Sequence, residues 1–385
     1  MPSDATLFAI SAPNIFDGTQ CLQDHCVVLR GDRIVGVPAI ADCPADAERI
    51  ILTEGTLAPG FIDLQVNGGG DALFNADPSV ACLHTIARAH RRKGTTSLLP
   101  TVLSDTPQVH KAAARAVQEA RSSGLAGILG LHIEGPFFAA ARRGVHAPAH
   151  LRAANDDDIA WLCGLRDFPV VLTLAPENFS SALISQLAAS GIHVCAGHTE
   201  ASYAQLLAAA AAGLSGVTHL YNAMSPLQTR EPGCVGAALD TDTLWAGIIA
   251  DGHHVHPAAI RLAQRLKPPG KLVLVSDAMA TVGGSCSSFD LYGETISELS
   301  GKLVNHEGRL AGSAIALIDA VRFCVEEVKI SLEESLRMAS CYPAGILGLA
   351  DTLGSLHSGA RADLVHFDDA FGVRNTWLCG KRETC

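Results

Sequence analysis

Apolar positions in this chain fall into short, near-continuous runs, each ending in polar, glycine or proline residues. In order they are Phe61–Asn67 (FIDLQVN), Thr96–Thr101 (TSLLPT), Gly127–Glu134 (GILGLHIE) and Val170–Glu177 (VVLTLAPE). Then follow His193–His198 (HVCAGH), Gly216–Leu220 (GVTHL), Leu244–Asp251 (LWAGIIAD) and Lys271–Ala278 (KLVLVSDA). Runs of this kind suit strands of a parallel sheet buried on both faces. The segments between them read as helices. Ser79–Lys93 sets Val80, Leu83, Ile86 and Ala87 at helical spacing, with basic residues at the end where the helix dipole favours them. Ser181–Ser190 closes on Gly191 and Ser202–Ala212 on Gly213, glycines suited to the left-handed position after a helix. Eight such βα units in about 220 residues predict a (β/α)8 barrel of the TIM type. The alternative is a doubly wound sheet, which usually carries a GxGxxG loop after its first strand. Asn67-Gly-Gly-Gly70 is not that motif.

The two ends of the chain have a different pattern. Residues 1–57 hold short alternating runs, such as Cys26–Leu29 and Arg33–Val37, with turns at Asp17-Gly18 and Gly31-Asp32. Residues 353–385 repeat that style in Asp363–Phe367 and Trp377-Leu378, with a turn at Gly380. The expectation is one small β-sandwich-like domain built from 1–57 plus 353–385, flanking a catalytic barrel over 58–352. Ser331-Leu-Glu-Glu334 predicts the capped start of a late helix that ends before Pro343.

Composition narrows the function. A 48% hydrophobic fraction over 385 residues fills a sizeable core and excludes disorder as the main state. No apolar run approaches the roughly 18 residues of a membrane span. With 28 Lys+Arg against 39 Asp+Glu the net charge is -11, and the basic residues are scattered. Nucleic-acid and anionic-membrane binding both need a clustered positive footprint, so neither is expected. The 12 Cys form no CxxC pair and read as reduced thiols. The first residues show no basic segment followed by a long apolar one, so a cytoplasmic protein is expected.

In a barrel, chemistry collects at the C-terminal strand ends. Those ends carry Gln65 and Asn67, Glu134, His198, His219, His254 and Asp277. Glu134, His198 and His219 supply a His2Glu donor set from three strands, and Asp277 stands on the eighth, beside the water such a metal would activate. One histidine at a strand end is more often a packed core residue, and one glutamate before Gly-Pro more often a surface acid. It is the joint placement at four strand ends that points to a metal site.

Several stretches together carry a resemblance: APGFIDLQVN (58–67), LHIEGP (131–136), AGHT (196–199), THLYNAM (218–224), REPG (230–233), ADGHHV (250–255), SDA (276–278) and LAGS (310–313). They are similar to the N-acetylglucosamine-6-phosphate deacetylase family of the amidohydrolase superfamily, in order from about residue 55 to residue 368. The resemblance implies that Glu134, His198 and His219 bind one divalent metal ion per chain, with Zn2+ favoured over Fe2+, Co2+ or Mn2+. It implies that Asp277 is the catalytic acid/base and that His146 helps stabilise the developing oxyanion. Many amidohydrolases have His-x-His on the first strand; here Gln65 and Asn67 stand there, amides that argue for a single metal and that can face substrate. The implied substrate contacts are Val145, Asn222, Ala223, Arg230, His254, Leu310, Ala311 and Gly312, with Arg230 reaching across a homodimer interface. Val145 stands where a small or hydroxylated residue is expected. The implied reaction is deacetylation of N-acetylglucosamine 6-phosphate to glucosamine 6-phosphate and acetate. The rival readings are the galactosamine epimer as substrate, and a non-catalytic scaffold that would need none of Glu134, His198, His219 or Asp277.

Overall fold

The computed structural model describes residues 6–385. Eight parallel strands form one sheet in chain order: β1 (Phe61–Val66), β2 (Thr95–Leu103), β3 (Leu131–Glu134), β4 (Val170–Leu174), β5 (His193–Ala196), β6 (Gly216–Val217), β7 (Trp245–Ile248) and β8 (Leu272–Leu274). The ring closes just past the last strand. Asp277 N–H donates to the Gln65 carbonyl at 3.0 Å, while the N–H groups of Asn67 and Gly68 donate to the Ala278 carbonyl at 2.9 and 3.0 Å. This is the expected barrel. Most strands are shorter than the apolar runs that announced them, because the last residues of each run leave the ladder and form the rim. All residues of β1 and β2 are buried, consistent with runs that need apolar side chains on both faces.

Helices begin where their caps require. Ser79 Oγ accepts from Cys82 N–H at 3.2 Å to open Val80–Arg91. Ser202 and Gln205 form a reciprocal capping box before Tyr203–Ala211. Gly191 and Gly213 take φ values of 95° and 109° past their helices, as the punctuation predicted. The late helix starts on Ser331 and ends at Ala339, before Pro343, as expected, without the reciprocal half of its capping box. Ser331 caps Leu332–Ala339, but Glu334 turns to Arg337 and Tyr342 instead of back to the cap. Pro343 sits in the first turn of a further helix, Cys341–Ile346, where no intrahelical N–H is needed.

Both chain ends build β-structure. A four-stranded sheet uses Leu7–Ser11, Cys26–Arg30, Arg33–Gly36 and Glu48–Ile51. A six-stranded sheet joins Asn14–Phe16, Cys21–Leu22 and Thr56–Pro59 to Leu364–Phe367, Val373–Leu378 and Lys381–Thr384. Ile10, Ile15, Leu29, Leu364 and Trp377 pack into one apolar cluster between them. The strand Thr56–Pro59 carries this sheet beyond residue 57.

Two features position the site. Inside the barrel, Val66 N–H donates to Thr101 Oγ1 at 2.9 Å, and His132 lies between Thr101 Oγ1 (3.2 Å) and Thr173 Oγ1 (2.8 Å). Thr173 Oγ1 is in turn 2.6 Å from Thr218 Oγ1. This buried polar layer ties β1, β2, β3 and β4 to the end of β6, one residue below His219 and two below Glu134. Outside, an antiparallel sheet of Ser288–Leu291, Glu294–Leu299 and Lys302–Val304 follows β8. Its Leu291, Ile296 and Leu303 pack with Leu103 and Met279 at the barrel mouth.

Candidate active site

Glu134 ends β3, His198 follows β5 and His219 follows β6. The barrel brings Glu134 Oε1 to 3.2 Å from His198 Nε2 and 3.0 Å from His219 Nε2, with the two nitrogens 3.1 Å apart. His198 Nδ1 faces the Arg142 carbonyl at 2.8 Å, so that nitrogen carries the proton and Nε2 presents a lone pair. Two imidazole nitrogens and a carboxylate oxygen thus converge on one point, all buried. Burial alone would raise the Glu134 carboxyl, yet the His198 and His219 rings beside it hold it well below its ordinary value. Burial alone would lower His219, yet Glu134 holds it above the usual histidine value. The donor set fits a divalent cation.

The backbone at this rim is unusual. His198, His219 and Asp277 have φ values of 50°, 34° and 53°, in the left-handed region that non-glycine residues seldom adopt. Each costs of order 1–3 kcal/mol, held by the surrounding barrel.

Asp277 stands beside this cluster. Its Oδ1 accepts from Asn67 Nδ2 at 2.7 Å and from Gln65 Nε2 at 3.0 Å. Gln65 Nε2 also lies 3.2 Å from Glu134 Oε2, so one amide restrains both carboxylates and leaves Glu134 Oε1 for the histidines. Burial, then the charge of Glu134, push the Asp277 carboxyl up to about 6. Asn67 lines the cavity and its Oδ1 has no partner among the described residues. Gln65 lies behind the lining, because two buried carboxylates take its donors.

His146 lines the cavity from the loop after β3 and is 2% exposed. Its Nδ1 accepts from Ser104 N–H at 3.2 Å, which places the ring proton on Nε2. Burial holds it well below the ordinary histidine value, so the ring is neutral. Phe138 stacks on His198 at 4.2 Å and meets His146 edge-on at 4.9 Å, fixing both rings. The cavity, about 190 Å³, places the metal cluster and Asp277 together with Asn222, Ala223 and His254. Val145, Leu310 and Gly312 also line it. Ala311 does not; it is fully buried under the inserted sheet. Arg230 does not line it either, being exposed in the segment after β6.

Sequence reasoning passed over Ser104, Phe138 and Asp251. Ser104 acts through its backbone and Phe138 through ring shape, neither of which has a sequence signal. Asp251, three residues before His254, did have one: an acid ahead of Gly in an Asx-type turn.

Residues 56–382 match the amidohydrolase family. The chain is 40% identical over 384 residues to N-acetylgalactosamine-6-phosphate deacetylase of Shewanella sp. (strain ANA-3), covering 98% of this chain and 96% of that one. It is 35% identical to N-acetylglucosamine-6-phosphate deacetylase of Haemophilus influenzae, covering 95% and 97% respectively. The crystal structure of N-acetylglucosamine-6-phosphate deacetylase from Pasteurella multocida superimposes with a TM-score of 0.95 at 36% identity, over 98% of this chain and 100% of that one.

Proposed function

The chain belongs to the amidohydrolase family, and on that premise we propose that it deacetylates N-acetylglucosamine 6-phosphate to glucosamine 6-phosphate and acetate. One observation carries the reading: Glu134, His198 and His219 converge within hydrogen-bonding distance of one another, with Asp277 held alongside by two amides. Glu134 Oε1, His198 Nε2 and His219 Nε2 would hold one divalent ion, Zn2+ first, with Fe2+, Co2+ or Mn2+ suiting the same donors. Such an ion supplies Lewis-acid polarisation, which brings the pKa of water toward about 7.

Each residue then has a defined task. Asp277 Oδ1 is taken by Gln65 and Asn67, so Oδ2 receives the proton from the attacking water as a C–O bond forms at the acetamide carbon. His146 Nε2–H donates to the carbonyl oxygen as it gains charge, an interaction worth about 3–4 kcal/mol for one good donor. Asp277 returns its proton to the nitrogen, the C–N bond breaks, and acetate leaves the free amine. His254 and the Asn222–Ala223 segment hold the phosphate, with Val145, Leu310 and Gly312 along the walls. Arg230, exposed in the same segment as Leu227, completes the phosphate site from a second copy in a cytoplasmic homodimer.

The galacto epimer is the second reading, favoured by the 40% identity to the Shewanella enzyme. Acetate release from both epimers, run in parallel on protein of known metal content, tests the proposal. Faster turnover of the gluco sugar with about one metal per chain supports it. A galacto preference moves the substrate and keeps the chemistry, and silence on both sinks the deacetylase reading.

A further inference from the structure

We propose that Asp251 is a positioning residue of the substrate site, holding His254 so that its Nε2–H meets the phosphate of the bound sugar. This rests on the deacetylase reading for the identity of the ligand.

Asp251 Oδ1 accepts the backbone N–H groups of His253 and His254, each at 2.8 Å. Its Oδ2 lies 2.6 Å from His254 Nδ1. Donors thus occupy both oxygens, the carboxylate acts only as an acceptor, and the shared proton rests on Nδ1. Nε2 is the one ring atom left for a ligand. The two side chains are 3% and 7% exposed, so packing fixes this orientation. The turn requires glycine at its second position: Gly252 has φ +76°, and a Cβ there would meet the Phe323 ring at 2.8 Å. Burial would raise the Asp251 carboxyl, but the His254 hydrogen bond and charge, with the two backbone N–H groups, hold it below its ordinary value.

These contacts have a consequence for anion binding. A neutral ring with its proton on Nδ1 offers only a lone pair at Nε2, which cannot bind a phosphate oxygen. In the proposed complex Asp251 accepts from one ring nitrogen and the phosphate from the other, so the ring bridges two acceptors through its N–H groups. The resulting charge-assisted bond is roughly twice as strong as a neutral one. In a chain of net charge -11, such a local arrangement gives an anion a foothold that overall charge does not.

The test compares N-acetylglucosamine 6-phosphate with unphosphorylated N-acetylglucosamine in the wild type, Asp251→Asn, His254→Gln and the double variant. For Asp251→Asn, KM for the phosphorylated sugar is expected to rise about tenfold, with a much smaller change in kcat. The preference in kcat/KM for the phosphorylated over the plain sugar should fall by a similar factor. The double variant should be no worse than His254→Gln, since the two act as a unit. An equal loss on both sugars would mean that Asp251 only supports the fold, and would overturn the proposal. Asp251→Glu keeps the carboxylate and is expected to restore most of the phosphate preference; if Asp251→Asn does not fold, a folded Asp251→Glu without that preference overturns the proposal in its place. If the wild type turns over neither sugar, the deacetylase reading has failed. Calorimetric binding of glucose 6-phosphate against glucose then reads the same phosphate-specific loss, or its absence.

Discussion

Asp277 is held on one carboxylate oxygen and open on the other, the arrangement that the proposed acid/base role needs. Two amide donors fix Oδ1, while Oδ2 stays free to carry a proton. Asp277→Asn keeps the shape and the amide-sized volume but cannot accept that proton. We expect kcat to fall about 10³-fold with metal content unchanged by elemental analysis; substantial residual turnover would remove the acid/base role. The pH dependence has a definite sign. Burial and the charge of Glu134 place the Asp277 carboxyl at about 6, above its ordinary value, and a base works only when unprotonated. A pH profile of kcat/KM should therefore decline by about tenfold per unit as pH falls below 6. At this scale Glu134, His198, His219 and Asp277 were legible in the sequence, since each interrupts an apolar run with a ligand-type side chain. His146 was not: its loop, RRGVHAP, has no periodicity, and only resemblance drew attention to it.

Among the elements, the inserted sheet of Ser288–Leu291, Glu294–Leu299 and Lys302–Val304 reaches the mouth of the cavity. Tyr292, at its first turn, donates its hydroxyl proton to the Ser104 carbonyl, while the N–H of the same residue sets the His146 tautomer. Tyr292→Phe removes that restraint without changing the cavity lining. The expected outcome is a several-fold lower kcat with metal content and KM nearly unchanged; steady-state kinetics on metal-loaded protein check it. The sheet escaped sequence reading because Leu291 and Ile296 are the only buried residues of its first two strands, too few to make an apolar run, and its hairpin turn, Tyr292-Gly293, is weaker than an Asn-Gly signal. The buried layer of Thr101, His132, Thr173 and Thr218 was equally hidden, since these residues lie far apart in sequence and meet only across the barrel.

For the whole molecule, a divalent ion bound only by the folded chain adds stability by mass action, about 4 kcal/mol at a thousandfold excess over its Kd. Chelation should lower the thermal midpoint and abolish turnover, and added Zn2+ should restore both; a midpoint indifferent to chelator would argue against the cluster as a metal site. The proposed dimer has its own signature. Leu227, Leu262 and Leu266 are 59%, 55% and 55% exposed, and Leu227 and Leu266 border an apolar groove with Tyr203, Pro232 and Leu239. Leu227→Glu is expected to shift sedimentation from dimer to monomer and to raise KM for the phosphorylated sugar, because Arg230 would lose its partner site. An unchanged sedimentation profile would place the interface elsewhere.

The sequence by itself determined the eight-stranded barrel, the β-rich ends and the residues available for a metal. Those properties are written in local periodicity: buried parallel strands demand apolar runs, helices demand caps and glycine stops, and both act over a few neighbours. The tertiary structure alone decided which donors meet. Gln65 lies 69 residues from Glu134 and 212 from Asp277, yet one amide restrains both. Tautomers at His146, His198 and His254 are likewise set by partners at the rim: the Ser104 N–H, the Arg142 carbonyl and the Asp251 carboxylate. The physical reason is directionality. Hydrophobic burial is read from composition along the chain, whereas a hydrogen bond or a ligand bond exists only when distance and angle are satisfied, and closure of the barrel is what satisfies them.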